Sequence, residues 1–206
     1  MNSQAITLLA RLLTAARALS RAAVWLAGAL TLASIFLITY DVVVRRVFGV
    51  TVGGADELSS YAFAISTTWA LAFTVLERAN VRVDVVYQYL PVRVSALLDL
   101  LSLVALGVFA VYLTYYAYDV VMTSWSQSSA ANTPLATPLW IPQSLWVAGF
   151  AWFTIVLALM LIRASTALVT GDLETLKALC GIRSAQEEAD EEAATGARLV
   201  NGGRQA

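Results

Sequence analysis

Charged residues divide this chain into four long uncharged runs. Residues 22–40, 58–76 and 100–118 each contain nineteen consecutive residues without a charge, and residues 139–162 form the apolar part of a fourth run. A helix rises about 1.5 Å per residue, so about 20 apolar residues cross a hydrocarbon core of roughly 30 Å. The alternative, that these segments are helices packed in a soluble protein, would need a polar face toward solvent on each segment, and none of the four runs has one across its full length.

The runs therefore predict an all-α integral membrane protein with four transmembrane helices. We expect one transmembrane domain at 22–163, with spans at about 22–44, 57–77, 96–120 and 139–163. The stretch 123–138 is polar and contains two prolines, which favours a loop between the third and fourth spans.

The segment before the first span, residues 1–21, has the pattern of an amphipathic helix. At about 100° per residue, one face is apolar (Leu8, Leu9, Leu12, Leu13, Ala16 and Leu19) and the other is polar (Thr7, Arg11, Thr14, Arg17 and Arg21). We expect an interfacial helix on the cytoplasmic leaflet, with its arginines near lipid phosphates; an upstream extension of the first span is the alternative. The run at 22–40 is longer than the apolar region of a usual signal peptide and no convincing cleavage site ends it, so we expect it to be retained.

The distribution of arginine and lysine predicts the orientation. With the N-terminus in the cytoplasm, nine positive charges near the spans lie on that side and two, Arg45 and Arg46, lie on the other. The positive-inside rule then places both termini in the cytoplasm and the 123–138 loop outside. Four tryptophans fall near span ends, where they are expected to act as interfacial anchors: Trp25, Trp125, Trp140 and Trp146.

Residues 164–206 form the predicted cytoplasmic juxtamembrane segment and disordered tail, which contains an acidic run at 187–192. Cys180 is most simply an isolated thiol near the membrane. Palmitoylation would fit its position, which is the only feature that favours it.

Composition narrows the chemistry that the chain can perform. The 206 residues include one cysteine and no histidine, and the formal net charge is -1. Haem held by paired histidines, imidazole-rich metal sites and histidine acid–base catalysis are therefore excluded, as is an intramolecular disulfide. We expect no catalytic residue, no cofactor and no metal, and the lack of a basic surface argues against nucleic acid as a partner.

Charges cluster where the first span ends and the second begins. Asp41 and Arg45 are an i,i+4 pair on a helix, which reduces the cost of placing both near hydrocarbon. Glu57 opens the second span, and acidic groups at a helix N-terminus interact favourably with its unpaired amides. The alternative is a charged patch that meets another membrane subunit, and our candidates for that interface are Arg45, Arg46 and Glu57.

The segment ERANVRVDVVYQYLP, residues 77–91, connects the second and third spans. Its alternation of valine with charged residues is typical of a strand, but a lone strand at a membrane surface would leave its edges unpaired. We favour helical extensions that meet at a bend near Pro91, and we call residues 77–91 the cytoplasmic strut. Its candidate residues are Arg78, Arg82 and Asp84.

Several short motifs resemble the small membrane subunit of tripartite ATP-independent periplasmic (TRAP) transporters, the DctQ-like family. The family's Arg-Tyr/Val-Phe-Gly segment that ends the first span is matched by RVFG at residues 46–49, and the Glu that opens its second span is matched by Glu57. Residues 78–84, followed by Leu-Pro at 90–91, resemble the family's Arg-x-His-hydrophobic-x-hydrophobic-Asp pattern and its Leu-Pro. PLWIP at 138–142 is similar to the sequence that often opens the family's fourth span.

The resemblance covers roughly residues 39–162 and agrees with the four spans deduced from the uncharged runs. Two positions depart from it: Asn80 stands where the family has histidine, and Asp41 where it often has asparagine. A role that needs an imidazole at position 80 therefore cannot apply to this chain.

The resemblance implies two protein partners, a large membrane subunit that carries substrate and sodium ions and a periplasmic substrate-binding protein, with membrane lipids around the spans. It implies a non-catalytic scaffold for sodium-coupled symport of an organic acid across the bacterial inner membrane. The alternative from another class is a haem-free membrane anchor of a redox enzyme complex, because the lack of histidine excludes only anchors that hold haem through histidine. A visible absorption spectrum and the identity of the co-purifying subunit discriminate between the two.

Overall fold

The computed structural model describes residues 3–79 and 91–172, together with positions 175, 176, 179, 193, 196 and 197. Within these residues the chain forms four long helices: α1 (Ser3–Phe48), α2 (Ala55–Leu76), α3 (Val92–Ser126) and α4 (Trp140–Thr170). Each helix is long and apolar enough to cross a membrane, and the described residues contain no β-strand. The prediction of an all-α membrane protein with four transmembrane helices is confirmed.

The first helix continues through the expected boundary at residue 21. α1 contains 46 residues and is about 69 Å long at 1.5 Å per residue. No helix-breaking residue precedes Gly28. Ala16 and Ser20 are buried, and Ser20 Oγ accepts a hydrogen bond of 3.0 Å from Trp152 Nε1 of α4. A separate interfacial helix is therefore not confirmed, and the continuous helix agrees with the alternative of an upstream extension.

The four helices form an open row in the order α1, α2, α4, α3. α2 packs against α1 and α4, α3 packs against α4, and α1 touches α4 over a shorter stretch. The core is centred on α4, where Val156, Leu157 and Ala164 are at most 1% exposed. α1 and α3 are edge helices, and their outer surfaces are apolar and exposed within this chain, as at Phe36 (72%) and Val108 (66%).

Small residues and polar side chains bring the inner helices of the row together. A Cβ atom at Gly149 of α4 would lie 2.5 Å from Thr68 Oγ1 and 3.0 Å from the Thr68 backbone carbon of α2. Ser66 Oγ of α2 donates a 3.0 Å hydrogen bond to the Ala27 carbonyl of α1. Close backbone approach and interhelical hydrogen bonds are what stabilise helix pairs in membranes, so these contacts fix α1, α2 and α4 relative to one another.

Two loops lie at one end of the row, which we call the loop end. Loop 49–54 joins α1 to α2, and loop 127–139 joins α3 to α4. Gly49 ends α1 in a left-handed conformation with φ of 69°, and its amide donates to the Arg45 carbonyl over 3.2 Å, as is common at helix C-termini. The opposite end of the row carries the start of α1 and the ends of α2 and α4.

Candidate functional site at the loop end

The Asp41 carboxylate ties loop 49–54 to α1. Asp41 is 2% exposed, and it accepts hydrogen bonds from the Arg45 guanidinium, from Thr51 Oγ1 at 2.8 Å and from the Val52 amide at 2.7 Å. The i,i+4 pair of Asp41 with Arg45 that the spacing predicts is confirmed. Because an ionised carboxylate can accept several hydrogen bonds, one buried side chain satisfies three donors and holds the loop against the helix.

The Glu57 carboxylate similarly holds loop 127–139 against α2 by accepting a hydrogen bond from it. It lies in the first turn of α2 and is 7% exposed. One carboxylate oxygen accepts a 2.8 Å hydrogen bond from the Tyr61 hydroxyl, and the other accepts one from the Thr133 hydroxyl of loop 127–139. These contacts join the start of α2 to a loop that is distant in sequence.

Loop 127–139 folds back on itself and packs against the first loop. Ala130 and Pro138 form an isolated antiparallel bridge across it. Between them, Leu135 lies over Gly54, where a Cβ atom would be 2.2 Å from Leu135 Cδ1 and where φ is 83°. A residue with a side chain would thus be strained at position 54 both by its backbone conformation and by lack of space, so Gly54 is what lets the two loops meet.

The three candidate interface residues present different amounts of surface. The Arg45 side chain is paired with Asp41 and remains 55% exposed. Arg46 is exposed, and within the described part of the chain it forms no ion pair or side-chain hydrogen bond. Glu57 is buried and bonded to groups of the same chain. Of the three, Arg46 has its charge most available to another molecule.

A second set of polar contacts lies at the opposite end. Arg17 Nε is 3.6 Å from Glu77 Oε1, and Arg17 Nη2 donates to the Leu76 carbonyl over 3.4 Å, which joins α1 to the end of α2. Arg78 follows with a positive φ of 55°. Arg82 and Asp84 lie outside the described residues, as does the choice between strand and helix for the cytoplasmic strut.

Asp172 caps a turn just after α4. Its Oδ1 accepts a 3.0 Å hydrogen bond from the Thr175 amide, and its other oxygen accepts one from the Thr175 hydroxyl. The hydroxyl bond and then the amide bond stabilise the anion and hold the pKa of the Asp172 carboxyl below its usual value. The capped turn places Leu176, which is 1% exposed, in the core cluster.

The expected tryptophan anchors occupy different surroundings. Trp25 of α1 is 78% exposed. Trp125 and Trp140 meet edge-on at the loop end with ring centroids 4.7 Å apart, and Trp146 packs edge-on against Phe150 at 4.9 Å. The role of these side chains at the membrane interface stays a prediction.

The polar groups of the loop end are mainly occupied by contacts within the chain, so the arrangement supports a structural task. Within 3–79 and 91–172 no three His, Cys, Asp or Glu side chains converge as metal ligands would. A groove of about 260 Å³ between α1 and α2 has apolar walls, formed among others by Leu26, Ile65 and Leu145.

Sequence reasoning missed the partners of the two carboxylates. Thr51 is ten residues from Asp41, and Thr133 is 76 residues from Glu57. No local pattern connects residues at such separations. Tyr61 is the exception, because its i,i+4 spacing from Glu57 on a helix could have identified it.

Comparison with known families gives one match. The family model described as "Tripartite ATP-independent periplasmic transporters, DctQ component" matches residues 34–167, a range that includes the loop end and the inner helices of the row. No curated protein and no solved structure matches the chain. The match gives no support to the alternative of a redox-enzyme anchor.

Proposed function

The chain belongs to the DctQ component family of the tripartite ATP-independent periplasmic transporters, and we propose that it is the stationary scaffold subunit of such a transporter. The family is a transporter component, and membership implies a large membrane subunit and a substrate-binding protein as partners. In our proposal the large subunit carries an organic acid together with sodium ions, the binding protein delivers the acid, and this chain performs no transport or catalysis itself.

The open row of helices is the observation that carries this proposal. A secondary transporter normally encloses its substrate between repeated multi-helix halves. Here each edge helix packs mainly against one neighbour and leaves a long apolar surface uncovered, as at Phe36 and Val108. Such a layer is suited to widening the fixed part of a larger membrane subunit, with lipids on the surfaces that the subunit leaves uncovered.

We place the loop end in the periplasm and both termini in the cytoplasm of a bacterial inner membrane. Nine positive charges against two support this orientation. Arg46 would then face the large subunit or the docked binding protein. Arg45 and Glu57 would support that contact by fixing the loops through Asp41 and Thr133.

Reconstitution tests the proposal. A thermal-shift screen of the binding protein against organic acids first selects the radiolabelled substrate. In liposomes with an inward sodium gradient, we expect no uptake with this chain alone and uptake when the large subunit and the binding protein are added. Uptake by the purified chain alone would refute the scaffold role, and so would full uptake by the large subunit when this chain is omitted.

A further inference from the structure

Three tyrosines form an exposed aromatic cluster on the edge helix α3. The rings of Tyr112 and Tyr116 are 4.6 Å apart, and those of Tyr115 and Tyr116 are 5.4 Å apart. Their exposed fractions are 61% for Tyr112, 67% for Tyr115 and 49% for Tyr116. A groove of about 680 Å³ runs along the same side of α3, and its wall toward α4 includes Thr154 and Ala158.

The cluster lies deeper in the membrane than an interfacial aromatic belt. Trp125, near the end of α3 and in contact with Trp140, marks the loop end of that helix. Tyr116 is nine residues and Tyr112 thirteen residues before Trp125, which corresponds to about 14 Å and 20 Å of helix. Helix α3 continues to Ser126, beyond the predicted end of the third span at about residue 120. With Trp125 as the interfacial anchor that its position predicts, these phenol groups lie within the hydrocarbon core of roughly 30 Å.

Among the residues that the structure describes, two of the three phenol groups have no acceptor for their protons. Tyr112 Oη donates to Tyr116 Oη over 3.2 Å, which leaves the protons of Tyr115 and Tyr116 without an acceptor among the described residues. On the other edge helix, Ser34 and Thr39 donate to carbonyls of their own helix at 2.9 Å and 2.7 Å, and Tyr40 is the single phenol exposed on that helix. A polar group without a partner in hydrocarbon is costly, so the clustered phenols of α3 need acceptors from elsewhere.

A carboxylate continues the same surface toward the loop end. Asp119 follows Tyr115 by four residues, one turn of the helix, and is exposed. The part of the chain that the structure describes provides no cation for it. Asp119 is six residues, or about 9 Å of helix, before Trp125, so with Trp125 at the interface an unpaired charge here would lie within the hydrocarbon, where it is costly.

We propose that this tyrosine face, made of Val108, Tyr112, Tyr115, Tyr116 and Asp119, binds a transmembrane helix of the large subunit. That helix carries hydrogen-bond acceptors opposite Tyr115 and Tyr116 and an arginine or lysine opposite Asp119. The inference rests on the proposed function, which supplies the large subunit, and it names the surface that this subunit uses.

The chemistry of the tyrosine face argues against lipid and against a second copy of this chain as its occupant. Acyl chains offer no acceptor to a phenol at this depth. In a two-fold dimer formed through this face, each copy would present the same tyrosine face to the other. Residues 94–126 of α3 contain no arginine or lysine, so the second copy would bring no cation to neutralise Asp119.

Site-specific photocrosslinking in membranes tests the face. A photoreactive phenylalanine replaces Tyr115 in cells that also express the large subunit, and the control places it at Phe36 on α1. The two sites are matched in depth, because Tyr115 is eleven residues from the end of α3 and Phe36 is twelve residues from the end of α1. We expect a crosslink to the large subunit from position 115 and none from position 36.

A set of conservative substitutions gives the second measurement. Tyr115→Phe and Tyr116→Phe keep the rings and remove the hydroxyls, and Asp119→Asn removes the charge. We expect each lost interhelical hydrogen bond to reduce retention of the large subunit about threefold, with a larger loss when the three changes are combined. Tyr40→Phe, an exposed tyrosine near the loop end of α1, is the matched control and should leave retention unchanged.

The outcomes separate this inference from the function on which it rests. Full retention by the triple variant, or crosslinks from position 115 to lipid or to a second copy of this chain, would overturn the tyrosine face while the scaffold role stands. If the wild-type chain itself retains no large subunit, both the face and the proposed function are wrong.

Discussion

Asp41 and Glu57 show how single residues shape the loop end. Each is a nearly buried carboxylate that accepts hydrogen bonds from a helix residue and from a loop. If a buried donor loses its acceptor, the folded state is destabilised by the full free energy of desolvating that donor. The two side chains therefore fix loop 49–54 and loop 127–139, and Arg46 is left as an exposed charge without an ion pair among the described residues.

We expect Arg46→Glu to reduce both co-purification of the large subunit and substrate uptake, while expression and membrane insertion stay normal. Removing one member of a desolvated charge pair costs about 3–5 kcal/mol, whereas a solvated pair contributes about 1 kcal/mol or less. Pull-down yield and uptake are the measurements, and Arg46→Lys, which keeps the charge, is the control. Wild-type assembly and uptake in the Glu variant would show that Arg46 is only solvated.

The Asp172 cap predicts a dependence on pH. Because the folded-state pKa is lowered from an ordinary value of 3.8, the stabilisation is present above that value and is lost as the pH falls through the lowered pKa. We expect the hydrogen-exchange protection factor of the Thr175 amide to decrease on acidification from about pH 6 to below about pH 3. Asp172→Asn is the control, because asparagine can still accept a hydrogen bond and does not titrate. In this variant the protection factor of the Thr175 amide should not decrease on acidification. A decrease identical to that of the wild-type chain would assign the effect to another group.

At the scale of helices, small side chains decide which elements can approach. Apart from Asp41, the buried positions among the described residues of α1 are Ala16, Ser20, Ala23 and Ala27, spaced three or four residues apart on one side of the helix. α2 and α4 meet where Gly149 faces Thr68. Dispersion contacts and interhelical hydrogen bonds, both of short range, replace hydrophobic burial as the cause of helix association in lipid.

Gly149→Ala should therefore destabilise the row. The added methyl group would lie 2.5 Å from Thr68 Oγ1, and overpacking of this kind costs about 1–3 kcal/mol. Gly28→Ala is the matched control, because a Cβ atom there meets nothing within 4 Å and alanine favours the helix by up to about 1 kcal/mol. The apparent melting temperature in detergent should fall for position 149 and stay level or rise for position 28; equal effects would contradict this account of the contact.

At the scale of the whole molecule, an open row gives the subunit two edges with different chemistry. The α1 edge exposes mainly apolar groups, two hydroxyls bonded to their own helix and a single phenol, Tyr40, whereas the α3 edge exposes a cluster of three phenols and a carboxylate. A closed bundle would have hidden most of this surface. The order of the helices therefore makes the chain a layer that can sit between a larger subunit and lipid.

The proposed topology is testable by cysteine labelling in a Cys180→Ser background. Ser128→Cys lies in loop 127–139, and we expect a membrane-impermeant maleimide to label it in cells with an intact inner membrane. Ser184→Cys should react only after permeabilisation, because the positive charges favour a cytoplasmic C-terminus. The reverse pattern would place the loop end in the cytoplasm.

The number of spans, the membrane environment and the family could be predicted from the amino-acid sequence alone. These depend on local properties, namely the length of each uncharged run and short motifs such as RVFG at 46–49. The Asp41–Arg45 pair was also predictable, because helical geometry brings residues four apart together. The sequence placed Glu57 at the start of α2 but could not identify Thr133 as its partner, since the two are 76 residues apart.

Three features became known only from the folded chain: the order of the helices in the row, the requirement for Gly149, and which sides of α1 and α3 stay uncovered. In a soluble protein an apolar stripe marks the buried side of a helix. In a membrane the lipid tails are as apolar as leucine, so apolar residues face lipid and protein alike. The hydrophobic pattern therefore locates a span but does not show which helices pack beside it. Contacts between small residues and between polar groups far apart in the chain determine that packing.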